Sequence, residues 1–541
     1  MRNYNDVEKA LIIIPHQDDE LSVAGAVIGW LAEEKIETYV CYTTNGDYEM
    51  DADVRYREAV SALQILGVPQ DHIVMLGYPD TSNENGYEHI YYYEYDKRLC
   101  SQANHEYTYG TENFRDFAFL EHGEHHPYNR ASYEKDVRDV VMKILPDLFV
   151  VVDMDHHVDH RMLSLTFDKI MGSVLKDNQE YHPIVWKAFS YGTSLGAACD
   201  YWKVNMNKTL FPPTRLEDNR GRMDNPFYDW NERVRIPVKQ EWYDFPIEKG
   251  KWYKELASHK SQKAILFAEL MINCDQVAWE RRTDNLLLHA KIEASSGDTG
   301  VLNDFMLFDA SEIHIPERFV MTGFWKPNVE DKKKQIKIRL DRAEELEKIV
   351  LWGIASDLKL EVCWKGTHVK YEYKNVFGKT ELVLPEGVKT DCIDLFFEYD
   401  ESKEFGIGEI EMFRVENKKP RYLKLLTNDL MVEKYYTCFK MPKIEIYEYC
   451  ANNLKRQNVD YMIQVNGEKV KKFPKRVKLQ YLKNKKICIS VQDKKIENLT
   501  AKVEIVFLTP IKWIRRKKQL NHYAKNFEQE KQKVRKFVIQ S

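Results

Sequence analysis

The sequence predicts an α/β domain with a Rossmann-like parallel sheet, followed by all-β sandwich domains in a multidomain chain. In the first half, short apolar runs alternate with stretches of helical periodicity, which is typical of a parallel sheet covered by helices on both faces. From about residue 310, apolar and polar residues alternate one by one, as in half-buried antiparallel strands. The chain has 541 residues, too many for one core, so several domains are expected.

In the first half, apolar runs predict strands at 10–15, 37–42, 73–76 and 148–153. Helices are predicted at 20–34, 54–66 and 133–144, and after Arg161. The helix over 133–144 should end before Pro146, because proline cannot continue a helix. A long insertion at 81–131 leaves from the end of the third strand. It should therefore border the ligand-binding edge of the sheet, either as a lid whose tyrosines, Tyr87 among them, stack on a sugar ring or as a small core of its own.

The second half divides into two predicted β units and a basic helix. The first unit, residues 311–418, is expected to be a β-sandwich with strands at 335–340, 349–352, 359–364, 381–384, 393–398 and 407–413. The second unit, residues 421–510, has immunoglobulin-like spacing, with strands predicted at 444–449, 461–465, 477–481, 486–491 and 502–508. Residues 511–541 are expected to form a basic helix, and residues 1–300 the catalytic domain.

Two of the predicted parallel strands end in clusters of histidine and aspartate. Residues 16–20 read His-Gln-Asp-Asp-Glu, and residues 157–160 read His-Val-Asp-His. Three consecutive carboxylates repel one another, and a divalent cation removes that cost. For the first cluster alone, a solvated helix N-terminus explains the acids equally well. Because the C-terminal ends of parallel strands lie at one edge of a sheet, we expect the two clusters to meet in space.

These motifs resemble those of the LmbE-like/PIG-L deacetylases, zinc-dependent enzymes that act on N-acetylglucosaminyl groups. The family's Pro-His-Pro-Asp-Asp-Glu corresponds to residues 15–20, and its His-x-Asp-His to residues 157–160. Gln17 replaces the second proline, which should loosen this loop slightly. Further similar segments lie at 43–47, 55–67, 76–80 and 258–262, so that the resemblance covers about residues 8–275.

The resemblance implies a catalytic zinc with one coordination position open for water and three protein ligands: His16, Asp19 and His160. It implies that Asp18 is the general base and that His157 stabilises the oxyanion or protonates the leaving amine. Asp159 is expected either to orient His157 or to support the site from behind the ligands, and Glu20 only to favour the dipole of the following helix. Fe(II) or Co(II) in place of Zn²⁺ stays open, because sites of this kind bind several divalent ions.

Three further residues match family positions that contact substrate: Arg55, Asp80 and Asn45. Each has an alternative explanation. Arg55 would also suit a surface ion pair on a helix, Asp80 a turn after proline, and Asn45 the closing of a tight turn. His259 either takes the place of a family histidine or packs the last helix. His156 is either a spare imidazole beside the site or, as we expect, a histidine with partners in the core or at the surface. The aromatic residues between 200 and 250 either wall the cleft or cover the sheet.

The implied function is removal of acetyl from an N-acetylated amino sugar in a glycan or a lipid-linked glycan. One alternative is the same chemistry on a small N-acetylglucosamine conjugate. Another, from a different class, is an inactive protein that binds carbohydrate or serves as a scaffold. The first β unit weakly resembles galactose-binding-like sandwiches, through residues 406–411.

Composition narrows the partners and the compartment. A net charge of −5 argues against nucleic-acid binding in general. Nine scattered cysteines suit a reducing compartment, and no stretch approaches the roughly 20 apolar residues of a membrane span. We therefore expect a cytoplasmic protein. The basic C-terminus would either contact an anionic membrane peripherally or form an ordinary solvated helix.

Overall fold

The first half of the chain folds around a seven-stranded mixed sheet. The computed structural model describes residues 7–81, 90–153, 157–190, 232–243, 247–267, 271–272, 274–307, 324–355, 359–364, 367–376, 379–403, 405–415, 420–450 and 460–540. The sheet has the order β3-β2-β1-β4-β5-β7-β6. Its strands are β1 (Lys9–Ile14), β2 (Glu37–Thr44), β3 (Ile73–Tyr78), β4 (Leu148–Val152), β5 (Ile184–Ala188), β6 (Val234–Pro237) and β7 (Asp275–Arg281).

The strands β1 to β5 are parallel, as predicted, whereas β7 runs antiparallel to both β5 and β6. The expectation of a purely parallel sheet is therefore corrected at this edge. The sequence pattern predicts no strand at β6 or β7, because both segments contain charged residues and lack a long apolar run. Arg235 on β6 and Asp275 on β7 are buried and form an ion pair, with Nε 2.5 Å from Oδ2. Such pairing lets charged side chains lie inside a sheet.

The helices of this unit are α1 (Asp19–Val23), α2 (Gly25–Glu33), α3 (Ala52–Leu66), α4 (Phe117–His122), α5 (Arg130–Ile144), α6 (Val158–Asp177), α7 (Gln240–Tyr243) and α8 (Lys251–Leu256). The single helix predicted at 20–34 is two helices, because the backbone leaves the helical region at Ala24 (φ −147°). Helix α3 begins after Asp51, whose carboxylate accepts the Asp53 N–H at 2.8 Å. It ends at Gly67, whose φ of +102° suits glycine.

The second unit is an eight-stranded antiparallel arrangement centred on β9. Its strands are β8 (Lys291–Ala294), β9 (Gln335–Ala355), β10 (Lys359–Trp364), β11 (Thr367–His368), β12 (Glu372–Val376), β13 (Lys379–Val383), β14 (Lys389–Glu398) and β15 (Phe405–Arg414). The strands predicted at 335–340 and 349–352 are both part of β9. The first half of β9 pairs with β8 and β14, and its second half pairs with β13 and β15. The strand β9 thus joins these two groups of strands. The strand β8 lies within the stretch 1–300 that the sequence assigned to the catalytic domain.

The third unit combines a two-stranded sheet, β16-β18, with a five-stranded sheet in the order β17-β22-β21-β19-β20. Its elements are β16 (Pro420–Thr427), β17 (Lys434–Thr437), β18 (Ile444–Cys450), β19 (Tyr461–Val465), β20 (Glu468–Val470), α9 (Leu479–Asn484), β21 (Lys486–Asp493), β22 (Thr500–Phe507) and α10 (Pro510–Gln540). The prediction of a strand at 477–481 is wrong, because helix α9 begins at Leu479. Its alternating pattern misleads: Tyr481 is buried, but Leu479 is 81% exposed.

The three units share buried contacts. The core of the first unit continues into Trp352 and Phe413 of the second and Tyr449 of the third. Arg281 on β7 is buried and pairs with Glu411 on β15, which also accepts a hydrogen bond from Trp352 Nε1 at 2.7 Å. None of the helices that the structure describes is both long and apolar enough to cross a membrane.

The buried Arg281–Glu411 pair should contribute more to stability than an exposed pair. Glu411→Ala leaves the guanidinium buried without its carboxylate, at a cost of about 3–5 kcal/mol, and should lower the Tm by several degrees. The matched control is Arg342→Ala, because Arg342 pairs with Glu344 at the surface, where an ion pair is worth about 0–1 kcal/mol. Calorimetry of both variants tests this, and equal shifts in Tm would contradict it.

Candidate metal centre

The ends of β1 and β4 bring the two histidine–aspartate clusters together. The strands pair in parallel from Ala10 opposite Leu148 to Ile13 opposite Val151. The loops that follow them therefore leave from neighbouring positions at the same edge of the sheet. Although these loops are more than a hundred residues apart in sequence, the ring centroids of His16 and His160 are 5.4 Å apart.

The three expected ligands meet at the carboxylate of Asp19. Its Oδ2 lies 3.0 Å from Nδ1 of His16 and 3.2 Å from Nε2 of His160. Its Oδ1 accepts a hydrogen bond from Ser190 Oγ at 2.9 Å. All three expected ligands are buried. Two imidazoles and a carboxylate at one point form a donor set that suits Zn²⁺ and leaves room for a fourth ligand.

More side chains that could ligate a metal surround His16 than the motif alone predicts. Its Nε2 lies 3.2 Å from Oδ1 of Asp80 and 3.1 Å from Oδ2 of Asp159. The ring of His157 is 4.5 Å from that of His16 and 5.0 Å from that of His160, centroid to centroid. Ligand atoms of the three histidines all lie within 4.8 Å of one another. Asp80 is thus more than a turn residue, because its carboxylate faces this centre.

Opposite charges stabilise one another at this centre. Burial opposes a charge on His16, yet the carboxylates of Asp80, Asp159 and Asp19 raise its pKa well above the usual value. Burial also opposes a charge on Asp19, yet its histidine neighbours, His160 foremost, hold its pKa well below the usual value. Burial and the neighbouring imidazoles lower the pKa of His157. Buried carboxylates are thus stabilised by positive charge, which a divalent ion would supply together with coordination bonds.

Asp18 lies beside the ligands in a strained backbone conformation, with φ +154° and ψ −16°. Its side chain is 34% exposed, so that water can reach the carboxylate. Oδ1 lies 3.4 Å from Nη2 of Arg55. Desolvation raises the pKa of Asp18 to about 6, although the charge of Arg55 acts in the opposite direction. Arg55 itself is buried, so the alternative of a surface ion pair on α3 does not hold.

The carboxylate of Asp159 orients His16 more directly than His157. It accepts the N–H of Thr81 at 3.0 Å and the hydroxyl of Thr81. Its Oδ2 is 3.1 Å from His16 Nε2 but 4.0 Å from His157 Nδ1, which is beyond hydrogen-bond distance. The backbone N–H of Asp159 instead donates to His157 Nδ1 at 3.3 Å, where His157 caps helix α6. Neutral His157 therefore carries its proton on Nε2.

Asn45 closes the turn after β2, and its side chain bonds inside the fold. Its amide donates to the carbonyl oxygens of Gly77 and Tyr109 at 3.2 and 3.0 Å, and its oxygen accepts from Tyr56. This geometry favours the turn over substrate contact. Gln17, expected to loosen the loop, instead ties it down, because its Nε2 donates to the carbonyl oxygen of Thr44 at 2.7 Å.

Segment 258–262 contacts the helices that follow Asp18 and carry Arg55. His259 Nε2 is 2.5 Å from Oε1 of Glu20, and both residues are buried. Ser261 donates its N–H and its hydroxyl to the carboxylate of Glu58, at 2.9 and 2.7 Å. Segment 258–262 thus holds α1, which follows Asp18, and α3, which carries Arg55. The sequence signal was the pair of motifs at 55–58 and 258–262. Ser190 and Thr81 left no such signal.

Some of the expected residues lie outside the described part of the chain: His156, Tyr87 and the aromatic residues between 201 and 230. Trp242 is described and is buried. It packs against α2 so closely that a Cβ at Gly29 would lie 1.8 Å from its ring. In the described part of the insertion, residues 90–131, Tyr109 donates to Asp47 at 2.6 Å, and Asp47 in turn accepts the N–H of Asp80 at 2.8 Å. The insertion thus supports the loop that carries Asp80.

Comparison with models of known protein families gives a match in the N-terminal part of the chain. Residues 11–171 match the family model described as PIG-L: GlcNAc-PI de-N-acetylase. The N-terminal part of the chain is a PIG-L (LmbE-like) deacetylase domain. No curated protein matches the chain.

Several solved structures are similar to parts of this chain. One is N,N'-diacetylchitobiose deacetylase from Pyrococcus horikoshii, with 19% identity and a TM-score of 0.21 over 33% of this chain and 54%, about half, of that one. A deacetylase of the teicoplanin biosynthesis pathway has 15% identity and a TM-score of 0.29 over 51% of this chain and 99% of that one. A fucose-binding module from Streptococcus pneumoniae has 15% identity and a TM-score of 0.18 over 24% of this chain and 98% of that one.

Gly46, in the turn after β2, should tolerate an added side chain less well than a glycine of similar φ in open space. Its φ is +63°, and an added Cβ would lie 2.3 Å from Gln17 Oε1 and 3.0 Å from Arg55 Nε. Gly123 is the matched control, since its φ is +78° and nothing lies within 4 Å of an added Cβ. Gly123→Ala should cost only the left-handed conformation, about 1–2 kcal/mol, and Gly46→Ala clearly more. Thermal melting compares them, and a larger shift in Tm for Gly123→Ala would contradict this account.

Proposed function

We propose that this protein is a metal-dependent deacetylase that hydrolyses the N-acetyl group of an amino sugar of the N-acetylglucosamine type. The observation that carries the proposal is the meeting of His16, Asp19 and His160 at one buried point, beside the partly exposed carboxylate of Asp18. The order β3-β2-β1-β4-β5 of the parallel strands supports a Rossmann-like arrangement, and ligands of such sheets bind at the edge where these residues lie. The PIG-L match over residues 11–171 agrees with this reaction class.

His16, Asp19 and His160 would hold the metal, for which we propose Zn²⁺. When bound, Zn²⁺ would lower the pKa of a water molecule and polarise the amide carbonyl of the substrate. Ser190 fixes the orientation of the Asp19 carboxylate, and Asp159 fixes that of the His16 ring. These contacts limit the movement of the ligands, and such outer partners of ligands commonly tune a metal site.

Asp18 would act as the general base and take a proton from the attacking water. A pKa of about 6 suits this task, because the carboxylate is largely ionised at neutral pH and still basic enough to accept a proton. Arg55 holds one carboxylate oxygen of Asp18 in place. The exposed third of the side chain gives the substrate and water access to the base.

His157 would donate a hydrogen bond from Nε2 to the oxyanion that develops on the amide carbonyl. Its Nδ1 accepts the N–H of Asp159, which leaves the proton on the other ring nitrogen. The ring lies beside those of His16 and His160, where the carbonyl of a bound substrate would be. Asp80, which faces the same space, is proposed to contact a sugar hydroxyl next to the N-acetyl group.

The substrate is proposed to be a glycan or a lipid-linked glycan, because two large β units accompany the catalytic domain. A small N-acetylglucosamine conjugate remains the alternative within the same chemistry. The division into a deacetylase domain (1–300, apart from β8, which pairs with β9 of the next unit), a galactose-binding-like sandwich (311–418), an immunoglobulin-like unit (421–510) and a basic helix (511–541) is part of the proposal. An inactive scaffold would not need the complete set of acid, base and ligands described here.

Asp18→Asn and His160→Ala should separate the base from the metal ligands. Asp18→Asn keeps the carboxylate's shape but not its basicity, so bound metal should be unchanged and turnover should fall by about 10²- to 10⁴-fold. His160→Ala should lose one equivalent of metal together with turnover. His72→Ala, at a partly exposed site where the ring stacks on Tyr39, is the control and should change neither.

Metal content is measured on purified protein, and turnover as free amine released from N-acetylated sugars and lipid-linked sugars. Full activity of Asp18→Asn would remove Asp18 as the base. Unchanged metal content in His160→Ala would remove His160 as a ligand. An enzyme that releases no amine from any sugar of the panel, with metal bound, would favour the scaffold.

We further propose a cytoplasmic protein that contacts anionic membranes peripherally through α10, which has ten basic and two acidic residues. Ile511 and Ile514 are exposed near its start, and the guanidinium of Arg516 stacks on Tyr436 of the third unit at 3.8 Å, which anchors the helix. The chain should sediment with phosphatidylserine vesicles at low salt and not with phosphatidylcholine vesicles. Sedimentation with neither would contradict this contact.

A further inference from the structure

A second group of side chains that could hold a metal ion lies outside the centre described above. We call it the α4–α5 cluster, and its members are His122 at the end of α4, His126 in the following loop, and Asp136 on α5. Candidate ligand atoms of these three residues all lie within 4.8 Å of one another. The proposed deacetylation uses none of them, so the cluster needs an explanation of its own.

Within the α4–α5 cluster, His126 is oriented as metal-ligating histidines commonly are. Its Nδ1 lies 2.7 Å from Oδ1 of Asp136, which is buried. Oδ2 of the same carboxylate accepts the hydroxyl of Tyr78 at 2.6 Å, so Asp136 is itself held in place. A histidine that donates one ring N–H to a fixed carboxylate presents the lone pair of its other nitrogen to a metal. Asp136 thus fixes both the tautomer and the direction of the His126 ring.

His122 faces a position that already attracts positive charge. Its ring stacks on that of His126, with centroids 5.1 Å apart. Its Nε2 lies 3.0 Å from the ammonium of Lys135 and 3.3 Å from Oδ2 of Asp139. Nε2 accepts a hydrogen bond from the ammonium in one tautomer and donates one to the Asp139 carboxylate in the other. In the first tautomer its lone pair faces the position of the ammonium. The Lys135 side chain is 50% exposed on a flexible stem, so it can turn into solvent when a stronger cation arrives.

We propose that the α4–α5 cluster binds a second divalent cation. His122 and His126 supply nitrogen ligands, Asp139 supplies an oxygen ligand once Lys135 has turned away, and Asp136 positions His126. Two imidazoles and a carboxylate favour Zn²⁺ over Mg²⁺ or Ca²⁺, which take oxygen ligands. The cation would join the insertion to α5 and so stabilise the connection that supports the Asp80 loop. This proposal does not depend on the proposed function.

Zinc titration of the full chain, followed by calorimetry and by competition with a chelating dye, tests the proposal. The unaltered protein should bind two equivalents. His122→Ala and His126→Ala should each bind one, whereas His160→Ala should lose the other equivalent. Asp136→Asn should weaken the second equivalent by roughly 10- to 100-fold, the usual effect of removing the partner of a metal-ligating histidine.

His125→Ala is the matched control, because His125 is a neighbouring histidine that contacts Asp116 instead, at 2.9 Å. It should retain both equivalents and the rise in Tm that zinc produces, and His122→Ala should lose the part of that rise due to the second ion. One equivalent in the unaltered protein, or loss of an equivalent in His125→Ala equal to that in His122→Ala, would overturn the proposal. Failure of the proposed deacetylase would instead appear as unchanged zinc binding in His160→Ala.

Discussion

The parallel pairing of β1 with β4 is the constraint on which the candidate centre depends. It places the ends of two strands that are distant in sequence next to each other, at one edge of the sheet. A slip of this register by two residues would move the loops apart by roughly 6–7 Å, more than a shared coordination sphere allows. The pairing itself is stabilised by apolar residues buried on both faces of the strands, from Ala10 to Ile14 and from Leu148 to Val152.

The same pairing brings several acidic side chains into a small buried space, where their charges would repel one another. Several carboxylates are buried together, and imidazoles, Arg55 and in our proposal a divalent cation balance them. Outer contacts from Thr81, Ser190 and segment 258–262 fix the groups that carry the charge. The strained φ of Asp18 fits this account, because strain persists where the surroundings determine the conformation.

Much of the architecture could be predicted from the sequence, because its signals are local. The four aliphatic residues before Pro15 indicate a buried strand, and the bounds predicted at 461–465 agree with β19. The antiparallel edge could not be predicted, because Arg235 and Asp275 make sense only when they pair across strands. The contacts of Asp80 with His16 and of Ser190 with Asp19 are likewise set by tertiary structure, and nothing in their local sequence announces them.

The most direct test of the central claim is anomalous X-ray diffraction at the zinc absorption edge, from crystals of the full chain grown with zinc. The account predicts an anomalous peak bonded to His16, Asp19 and His160, with Zn–N distances of about 2.0–2.1 Å and a further ligand at the side facing Asp18. A map with no peak at this point, or with the rings of His16 and His160 turned away from a common position, would contradict it.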